Sequence, residues 1–169
     1  GSVTIPSKVV IDGKTYSVVS IATYAFKNCK GLTNITIPSS VVSIGDDAFR
    51  NCKGLTNITI PSSVVKIGTD AFANSGLTTI ELPSSITSID YGLFSSCSDL
   101  VSVKIPSSVE SIGESAFVGC TSLTNLELSS SVKSIGVMAF YNCKNLDLVI
   151  DNSEDNVEVA VQAFQNCKS

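Results

Sequence analysis

The chain has 169 residues, of which 43% are hydrophobic and 15% are charged, and its formal net charge is −4. The 11 basic residues are scattered and do not form the positive surface that nucleic-acid binding requires, so we expect no nucleic-acid partner. No apolar run reaches the roughly 18 residues of a membrane span, which predicts no membrane insertion within this chain. The sequence contains no histidine, and this removes the commonest general base and metal ligand.

Phenylalanine recurs along the chain at intervals of 22 to 24 residues. The positions are Phe26, Phe49, Phe72, Phe94, Phe117, Phe140 and Phe164. A repeat of this length is typical of a solenoid, in which each unit buries its apolar face only against its neighbours. We therefore predict one α/β solenoid domain over residues 1–169, with about seven stacked coils of 22–24 residues.

The first unit differs from the others because extra residues separate its strand from the rest of the unit. Residues 9–11 and 14–16 flank Asp12 and Gly13, a dipeptide that suits the positive φ angles of a two-residue hairpin turn. We predict a hairpin here, inserted into an N-terminal capping repeat over residues 3–31. Residues 1–2 are typical of a cloning scar.

The second unit shows the pattern of the regular repeats, which span residues 32–145. Ile35 and Ile37 alternate with polar residues, which predicts a strand with one buried face, and Pro38 ends it because proline cannot donate a ladder hydrogen bond. A second short extended segment is predicted at residues 41–44. Equivalent strands should pair in parallel and form one face of the solenoid. The predicted inward positions are Ile35, Ile58, Ile80, Val103 and Leu126, with Ile37, Ile60, Leu82, Ile105 and Leu128 beside them.

We predict that the opposite face consists of short helical turns. Residues 46–52 place small and aromatic side chains at a spacing that suits one or two helical turns, with aspartates near the positive N-terminal end. The last unit, residues 146–169, is degenerate, because an acidic polar segment replaces its proline and serines. The sequence stops at Lys168 and Ser169, before the next leucine of the repeat, so we expect a fragment of a longer protein.

The unit Leu-x-x-Ile-x-Ile-Pro-x-Ser-Val-x-x-Ile-Gly-x-x-Ala-Phe-x-x-Cys resembles the BspA-like class of leucine-rich repeats, found in bacterial cell-surface and adhesin-type proteins. Its fixed positions recur as Pro38, Gly45 and Phe49, as Pro61, Gly68 and Phe72, and as Pro106, Gly113 and Phe117. The resemblance implies a right-handed leucine-rich repeat stack that is extracellular or displayed at the cell surface. It also implies host partners such as fibronectin-like or fibrinogen-like matrix proteins, and no catalytic residue. Asp90 departs from the pattern, because it replaces the glycine.

The residues that could carry chemistry form no recognisable site. The cysteines occupy one repeat position, at Cys29, Cys52, Cys97, Cys120, Cys143 and Cys167. Their parallel side-chain vectors argue against disulfides, and the absence of a C-x-x-C pair argues against zinc, so we expect buried free thiols. The paired carboxylates Asp46-Asp47 and Glu154-Asp155 are adjacent in sequence and point apart. We predict no enzyme and no catalytic, cofactor-binding or metal-binding residue.

The outward side chains of the strands form a candidate binding face. They are Asn34, Thr36, Asn57, Thr59, Thr79, Glu81, Ser102, Lys104, Asn125 and Glu127. Because solenoids bind extended surfaces through such rows, we predict a cell-surface protein-binding or adhesion module that recognises a host protein or glycan. The alternative is a structural spacer or stalk, since Thr is also common on exposed strands and no aromatic anchor is present. Open ladder ends would also permit end-to-end self-association of the fragment.

Overall fold

A computed structural model describes residues 1–150 and 157–168. These residues form a parallel β-solenoid of about six turns around one continuous core. The predicted solenoid is confirmed, but the predicted count of about seven coils is not supported. A turn of the solenoid is complete only when the chain stacks on the preceding unit. The seven phenylalanines from Phe26 to Phe164 therefore form six stacked pairs. The acidic segment that we interpreted as degenerate, residues 151–156, lies outside the described residues.

All the regular elements in the described residues are short strands. In chain order they are β1 (Ser2–Thr4), β2 (Lys8–Ile11), β3 (Lys14–Ser17), β4 (Ser20–Ile21), β5 (Asn34–Thr36), β6 (Ser43–Ile44), β7 (Lys66–Ile67), β8 (Thr79–Glu81), β9 (Ser88–Ile89), β10 (Ser102–Lys104), β11 (Ser111–Ile112), β12 (Asn125–Leu128), β13 (Ser134–Ile135), β14 (Asp147–Ile150) and β15 (Glu158–Val159).

The first strands of successive units pair in parallel and form the front of the solenoid. β8, β10, β12 and β14 make one four-stranded sheet, and β1 pairs with β5 in the same orientation. Residues in register are equivalent positions of the repeat, such as Val103 and Ile80. Nine of the ten predicted inward positions are buried, and Ile105 is half-buried against the core. The alternation in the sequence therefore predicted the buried side of these strands correctly.

The second extended segment of each unit forms another parallel ladder, as predicted. β4, β6 and β7 make one three-stranded sheet, and β9, β11, β13 and β15 make a four-stranded one. Each strand of this ladder from β4 to β13 buries one isoleucine, for example Ile44 and Ile112, which are both about 1% exposed. The two ladders thus enclose the core from two sides.

The hairpin predicted in the first unit forms between β2 and β3. The two strands pair antiparallel around Asp12 and Gly13, which have φ angles of 50° and 74°. Its apolar side chains Val10, Ile11 and Tyr16 are exposed. The division of the chain into a capping repeat, regular repeats and a degenerate last repeat stays a prediction.

The prediction of helical turns on the opposite face is wrong, because the described residues contain no helix. The segment consists instead of successive β-turns, in which Ala48 N–H donates to Gly45 C=O and Arg50 N–H to Asp47 C=O. Asp47 and Asn51 have φ angles of 52° and 61°, which interrupt any right-handed helix. Alternate residues make no N–H bond within these turns, and their N–H groups donate to C=O groups of the next unit. The back of the solenoid is therefore a third ladder of hydrogen bonds between units.

The phenylalanines stack along the interior at the back of the solenoid. Neighbouring ring centroids lie 5.1 to 5.9 Å apart, and the ring planes are within 9° of parallel except for Phe94 and Phe117, which are inclined by 25°. The five inner rings are fully buried, whereas Phe26 and Phe164 at the two ends are half-buried. Burial of one such side chain contributes about 1.5 to 3 kcal/mol. The core is therefore held by contacts between consecutive units.

The parallel pairing of the second ladder is interrupted between the units of Phe72 and Phe94, although the rings and the back ladder continue across this junction. At regular junctions the repeat glycine donates to the preceding unit, as Gly113 N–H does to Ile89 C=O at 2.7 Å, and a Cβ at Gly113 would lie 2.8 Å from that oxygen. Asp90 holds this glycine position, and its N–H has no such bond in the described part of the chain. Its Cβ prevents the close approach, which explains why β7 and β9 belong to separate sheets. We call this junction the seam, with residues 57–68 on one side and 79–90 on the other.

Candidate binding surface

The ten residues predicted as a binding face lie together on the outer side of the front strands, and all ten are exposed. They form two adjacent columns that run across the units. One column holds Asn34, Asn57, Thr79, Ser102 and Asn125, and the other holds Thr36, Thr59, Glu81, Lys104 and Glu127. The buried residue between the two columns in each unit fixes their direction, since alternate side chains of a strand point to opposite sides. Whether the face binds a ligand stays a prediction.

The charged side chains of the face are concentrated in three adjacent units. Lys104 lies in register with Glu81, and its Nζ contacts Glu81 Oε1 at 2.5 Å. Glu127 belongs to the next strand, β12, which pairs with β10 on the other side of Lys104. Both side chains of the Lys104–Glu81 pair are mostly exposed, so the pair contributes at most about 1 kcal/mol to stability. These charges are therefore available to a partner.

A cleft of about 480 Å³ opens on this face at the seam. Its lining residues are Ile58, Thr59, Ile60, Glu81, Leu82, Pro83, Ser84, Lys104, Pro106 and Ser107. A smaller cleft of about 260 Å³ beside it is lined partly by Ser102, Lys104 and Glu127. The two clefts share Lys104, so the central charged residue of the face borders both.

The front segment beside the seam differs from its neighbours in its backbone pairing. Residues 57–60 are not part of a strand, and within the described chain their N–H and C=O groups form no hydrogen bond with another backbone group. The equivalent residues of other units, such as those of β8 and β10, are paired. Ile58 and Ile60 remain buried, so the segment is extended although it is unpaired. The cleft therefore combines an unpaired extended segment with a charged rim.

The cleft was not predicted, although the sequence contains two signals of it. One is the Phe72 to Phe94 interval, which is 22 residues where its neighbours are 23. The other is Asp90, which replaces the repeat glycine and prevents the close approach of two units. A second unpredicted feature is a row of exposed valines beside the second ladder, Val19, Val42 and Val65. In this row, Val42 N–H donates to Val19 C=O and Val65 N–H to Val42 C=O.

The carboxylates on the back of the solenoid have a structural role. Asp47 contacts Lys27 at 3.2 Å and Arg50 at 3.1 Å, and Arg50 also contacts Asp70 at 2.9 Å. Burial raises the pKa of the Asp70 carboxyl, and Arg50 opposes this shift. The contacts link successive units through residues with positive φ, Asp47 and Asp70. Glu154 and Asp155 lie outside the described residues.

The cysteines are free, and four of them are buried. Cys29 and Cys167 at the two ends are exposed and half-buried, so the prediction of buried thiols is wrong for Cys29. The four buried thiols and Cys167 each donate to the carbonyl of the phenylalanine in the preceding unit, at 3.0 to 3.1 Å. No group of three or more His, Cys, Asp or Glu side chains is arranged to hold a metal ion within residues 1–150 and 157–168.

The repeat geometry agrees with a known sequence family. A family model described as the BspA type leucine rich repeat region matches residues 19–147 and 93–169, with six copies. The chain belongs to the BspA-type leucine-rich repeat family. The resemblance based on the proline, glycine and phenylalanine positions is thus confirmed. No curated protein matches this BspA-type chain.

Several solved bacterial structures are similar to this BspA-type chain. A leucine-rich repeat protein of Treponema pallidum is 37% identical with a TM-score of 0.88, and the match covers 98% of this chain and 76% of that one. The pneumococcal vaccine antigen PcpA is 30% identical with a TM-score of 0.77, over 94% of this chain and 42% of that one. A leucine-rich cell surface protein of Faecalibacterium prausnitzii is 26% identical with a TM-score of 0.52, over 92% and 60%. The described residues of the BspA-type chain include no helix that could cross a membrane.

Proposed function

We propose that this chain is a non-catalytic recognition module that binds a host extracellular protein or glycan through the front face of its sheet. The observation that carries the proposal is the Lys104–Glu81 pair, which is exposed on a buried and regular frame and borders the cleft at the seam. A rigid strip of varied polar side chains can bind an extended partner without first losing conformational entropy.

The chemistry of the cleft favours a partner with an extended polypeptide segment over a small molecule. The cleft is lined by Ile58, Thr59 and Ile60, which form no backbone hydrogen bond with another unit in the described chain, and by Glu81 and Lys104 at its charged side. Glu81 and Glu127 on either side of Lys104 favour a partner that carries basic groups. The cleft is open along the face, which suits a long contact rather than an enclosed ligand.

The relatives support a location outside the cell. One is described as a vaccine antigen and another as a cell surface protein, and both belong to bacteria. We therefore propose that this chain is displayed at the cell surface or secreted. The chain spans 42% of the antigen and 60% of the surface protein.

The test is a binding screen against host matrix proteins, including fibronectin and fibrinogen, and mucosal glycans. The parent is compared with a face variant that carries Glu81→Ser, Lys104→Ser and Glu127→Ser. The matched control carries Glu110→Ser, Lys133→Ser and Glu158→Ser, which removes the same charges from the second ladder, where Lys133 pairs with Glu110 at 2.9 Å. We expect saturable binding that is lost in the face variant and retained in the control.

The structural spacer is the competing function, and the same screen distinguishes it. A spacer predicts that the parent, the face variant and the control all fail to bind saturably to any member of the panel. Equal binding by all three proteins would instead place recognition elsewhere on the chain, and would contradict the role of the front face.

A further inference from the structure

The charged side chains of the front face are spaced in a pattern that restricts the conformation of a polypeptide partner. We propose that the partner segment is a polyproline II helix that lies across the units and carries a basic side chain at every third residue, with one such side chain against Glu81 and the next against Glu127. This inference rests on the proposed recognition function and specifies the partner of the same surface.

The row of charges alternates in sign along successive units. Glu81 is in register with Lys104, and Ser102 is in register with Asn125, so Glu127 occupies the position of Lys104 in the following unit. Neighbouring strands of a sheet lie about 4.8 Å apart, and the two carboxylates are therefore separated by two strand spacings, about 9.6 Å. Within the described residues, Oε2 of Glu81 and the carboxylate of Glu127 have no ion-pair partner. Both carboxylates can therefore accept charged hydrogen bonds from a partner.

Lys104 stands between the two carboxylates and disfavours a cation at the intermediate position. Its side chain is mostly exposed and contacts Oε1 of Glu81. A basic group of the partner placed opposite Lys104 would meet a like charge, which opposes binding. The row therefore selects a partner whose basic groups are two units apart rather than one.

The two clefts on this face indicate the direction of the partner segment. The larger cleft is lined by residues of three consecutive units and the smaller by residues of two, and Lys104 borders both. A segment parallel to the strands would meet one charge of the row, because each unit contributes one. Only a segment that lies across the units can contact both Glu81 and Glu127.

The spacing of the carboxylates distinguishes the regular conformations of such a segment. A polyproline II helix has three residues per turn, so side chains three residues apart share one side and are separated by about 9.3 Å. In a β-strand, side chains on one side are separated by about 6.7 or 13 Å. In an α-helix, residues seven apart share a side at about 10.5 Å. The polyproline II helix gives the best agreement with two strand spacings.

The larger cleft also suits the residues between the basic positions. Its lining includes the apolar residues Ile60, Leu82, Pro83 and Pro106. Proline rings of the partner are apolar and can pack against this lining. A proline-rich segment already has the polyproline II conformation before it binds, so less conformational entropy is lost in the complex.

The test is an equilibrium titration of the parent with short proline peptides that each carry two lysines. The lysines are three residues apart in the first peptide, two apart in the second and four apart in the third, so the peptides have the same composition and charge. NMR chemical shifts measured at low salt give the dissociation constants and locate the contact on the chain.

Variants of the chain test the basis of any preference among the peptides. Glu127→Gln removes one carboxylate of the row, and Glu110→Gln is its matched control on the second ladder, where Glu110 pairs with Lys133. Thr59→Glu combined with Glu81→Thr moves the other carboxylate by one unit and leaves the net charge unchanged. The substituted side chains are exposed, so the fold should be retained, and thermal unfolding followed by circular dichroism checks this.

We expect the peptide with lysines three residues apart to bind the parent and Glu110→Gln at least about tenfold more tightly than the other two peptides. The preference should disappear in Glu127→Gln and in the double variant. Added salt should weaken the tight complex, because it screens exposed charges.

Equal affinities of the parent for the three peptides, or tighter binding of another spacing, would overturn the inference. A preference that survives in Glu127→Gln would place the contact elsewhere and would also overturn it. A parent that binds a host protein of the panel but none of the peptides would overturn this inference and leave the recognition function intact. A parent that binds neither would overturn both.

Discussion

The thiol of Cys120 donates a hydrogen bond of 3.1 Å to the backbone carbonyl of Phe94 in the preceding unit. Because the same bond recurs at the other inner cysteines, the thiol is a structural link between units. Burial also raises the pKa of the buried thiols, to about 11 for Cys52 and about 12 for Cys143. Thiolate is the reactive form of cysteine, so these side chains are protected by both burial and protonation.

Thiol labelling should therefore separate Cys29 from the others. Iodoacetamide at mildly alkaline pH and low protein concentration should modify one thiol per chain rapidly, and mass spectrometry should locate it at Cys29, which is exposed. Half-buried Cys167 should react more slowly, and the remaining four only after unfolding. The Cys29→Ser variant should lose the rapid phase. Rapid modification of Cys97 or Cys120 in the folded protein would contradict the assigned packing.

Removal of an inner phenylalanine should strongly destabilise the fold. Phe94 is fully buried and stacks on Phe72 at 5.9 Å and on Phe117 at 5.3 Å. We expect Phe94→Ala to lower the free energy of unfolding by about 3 to 5 kcal/mol, as measured by urea denaturation. Phe26→Ala is the comparison, because Phe26 is half-buried and has one ring neighbour, so its loss should cost less. Equal unfolding curves for the parent and Phe94→Ala would disprove this core.

The repeat glycines should tolerate no side chain where two units approach closely. A Cβ at Gly113 would lie 2.8 to 3.0 Å from backbone atoms of residues 89–91, which cannot move without breaking the ladder. We expect Gly113→Ala to cost about 1 to 3 kcal/mol, the range seen for overpacked sites. Gly31→Ala is the control, since a Cβ there meets nothing within 4 Å. Comparable stability of the two variants in thermal unfolding would be the contradicting result.

The seam should be visible in amide hydrogen exchange. Gly113 N–H is bonded to Ile89 C=O and Glu110 N–H to Thr87 C=O, whereas the equivalent amides of Asp90 and Thr87 have no backbone acceptor in the described chain. We expect the Asp90 and Thr87 amides to exchange faster than those of Gly113 and Glu110. Asp90→Gly should slow exchange at both positions by allowing the close approach. If Asp90→Gly leaves both exchange rates unchanged, Asp90 is not the cause of the seam.

The sequence predicted the features that depend on alternation and periodicity. The burial of Ile80 and Val103 was predictable, because neighbouring units repeat the same alternation of apolar and polar residues. The hairpin at Asp12 and Gly13 was predictable because few residues accept two consecutive positive φ angles. The ten face residues followed from the same alternation.

The features that the sequence did not predict depend on local backbone geometry. Ala48 and Phe49 point inward in a helical turn and also in successive β-turns, so their burial did not distinguish the two. Asp47 and Asn51 were the available signal, because aspartate and asparagine accept positive φ more readily than most residues. At regular junctions the glycine allows backbone atoms of two units to approach within 3 Å of its position, and Asp90 prevents this approach at the seam. The repeat pattern of the sequence does not show such a distance.

If the charge pattern of the front face carries recognition, exchange of the two residues of its ion pair should weaken binding. The double variant Glu81→Lys with Lys104→Glu preserves the net charge and the ion pair but reverses the pattern on the face. Equilibrium titration of the parent and this variant against a ligand from the screen should show binding weakened by more than about tenfold, because charged hydrogen bonds contribute about 1.5 to 3 kcal/mol each. Equal affinities, with equal thermal stability, would contradict recognition by this face.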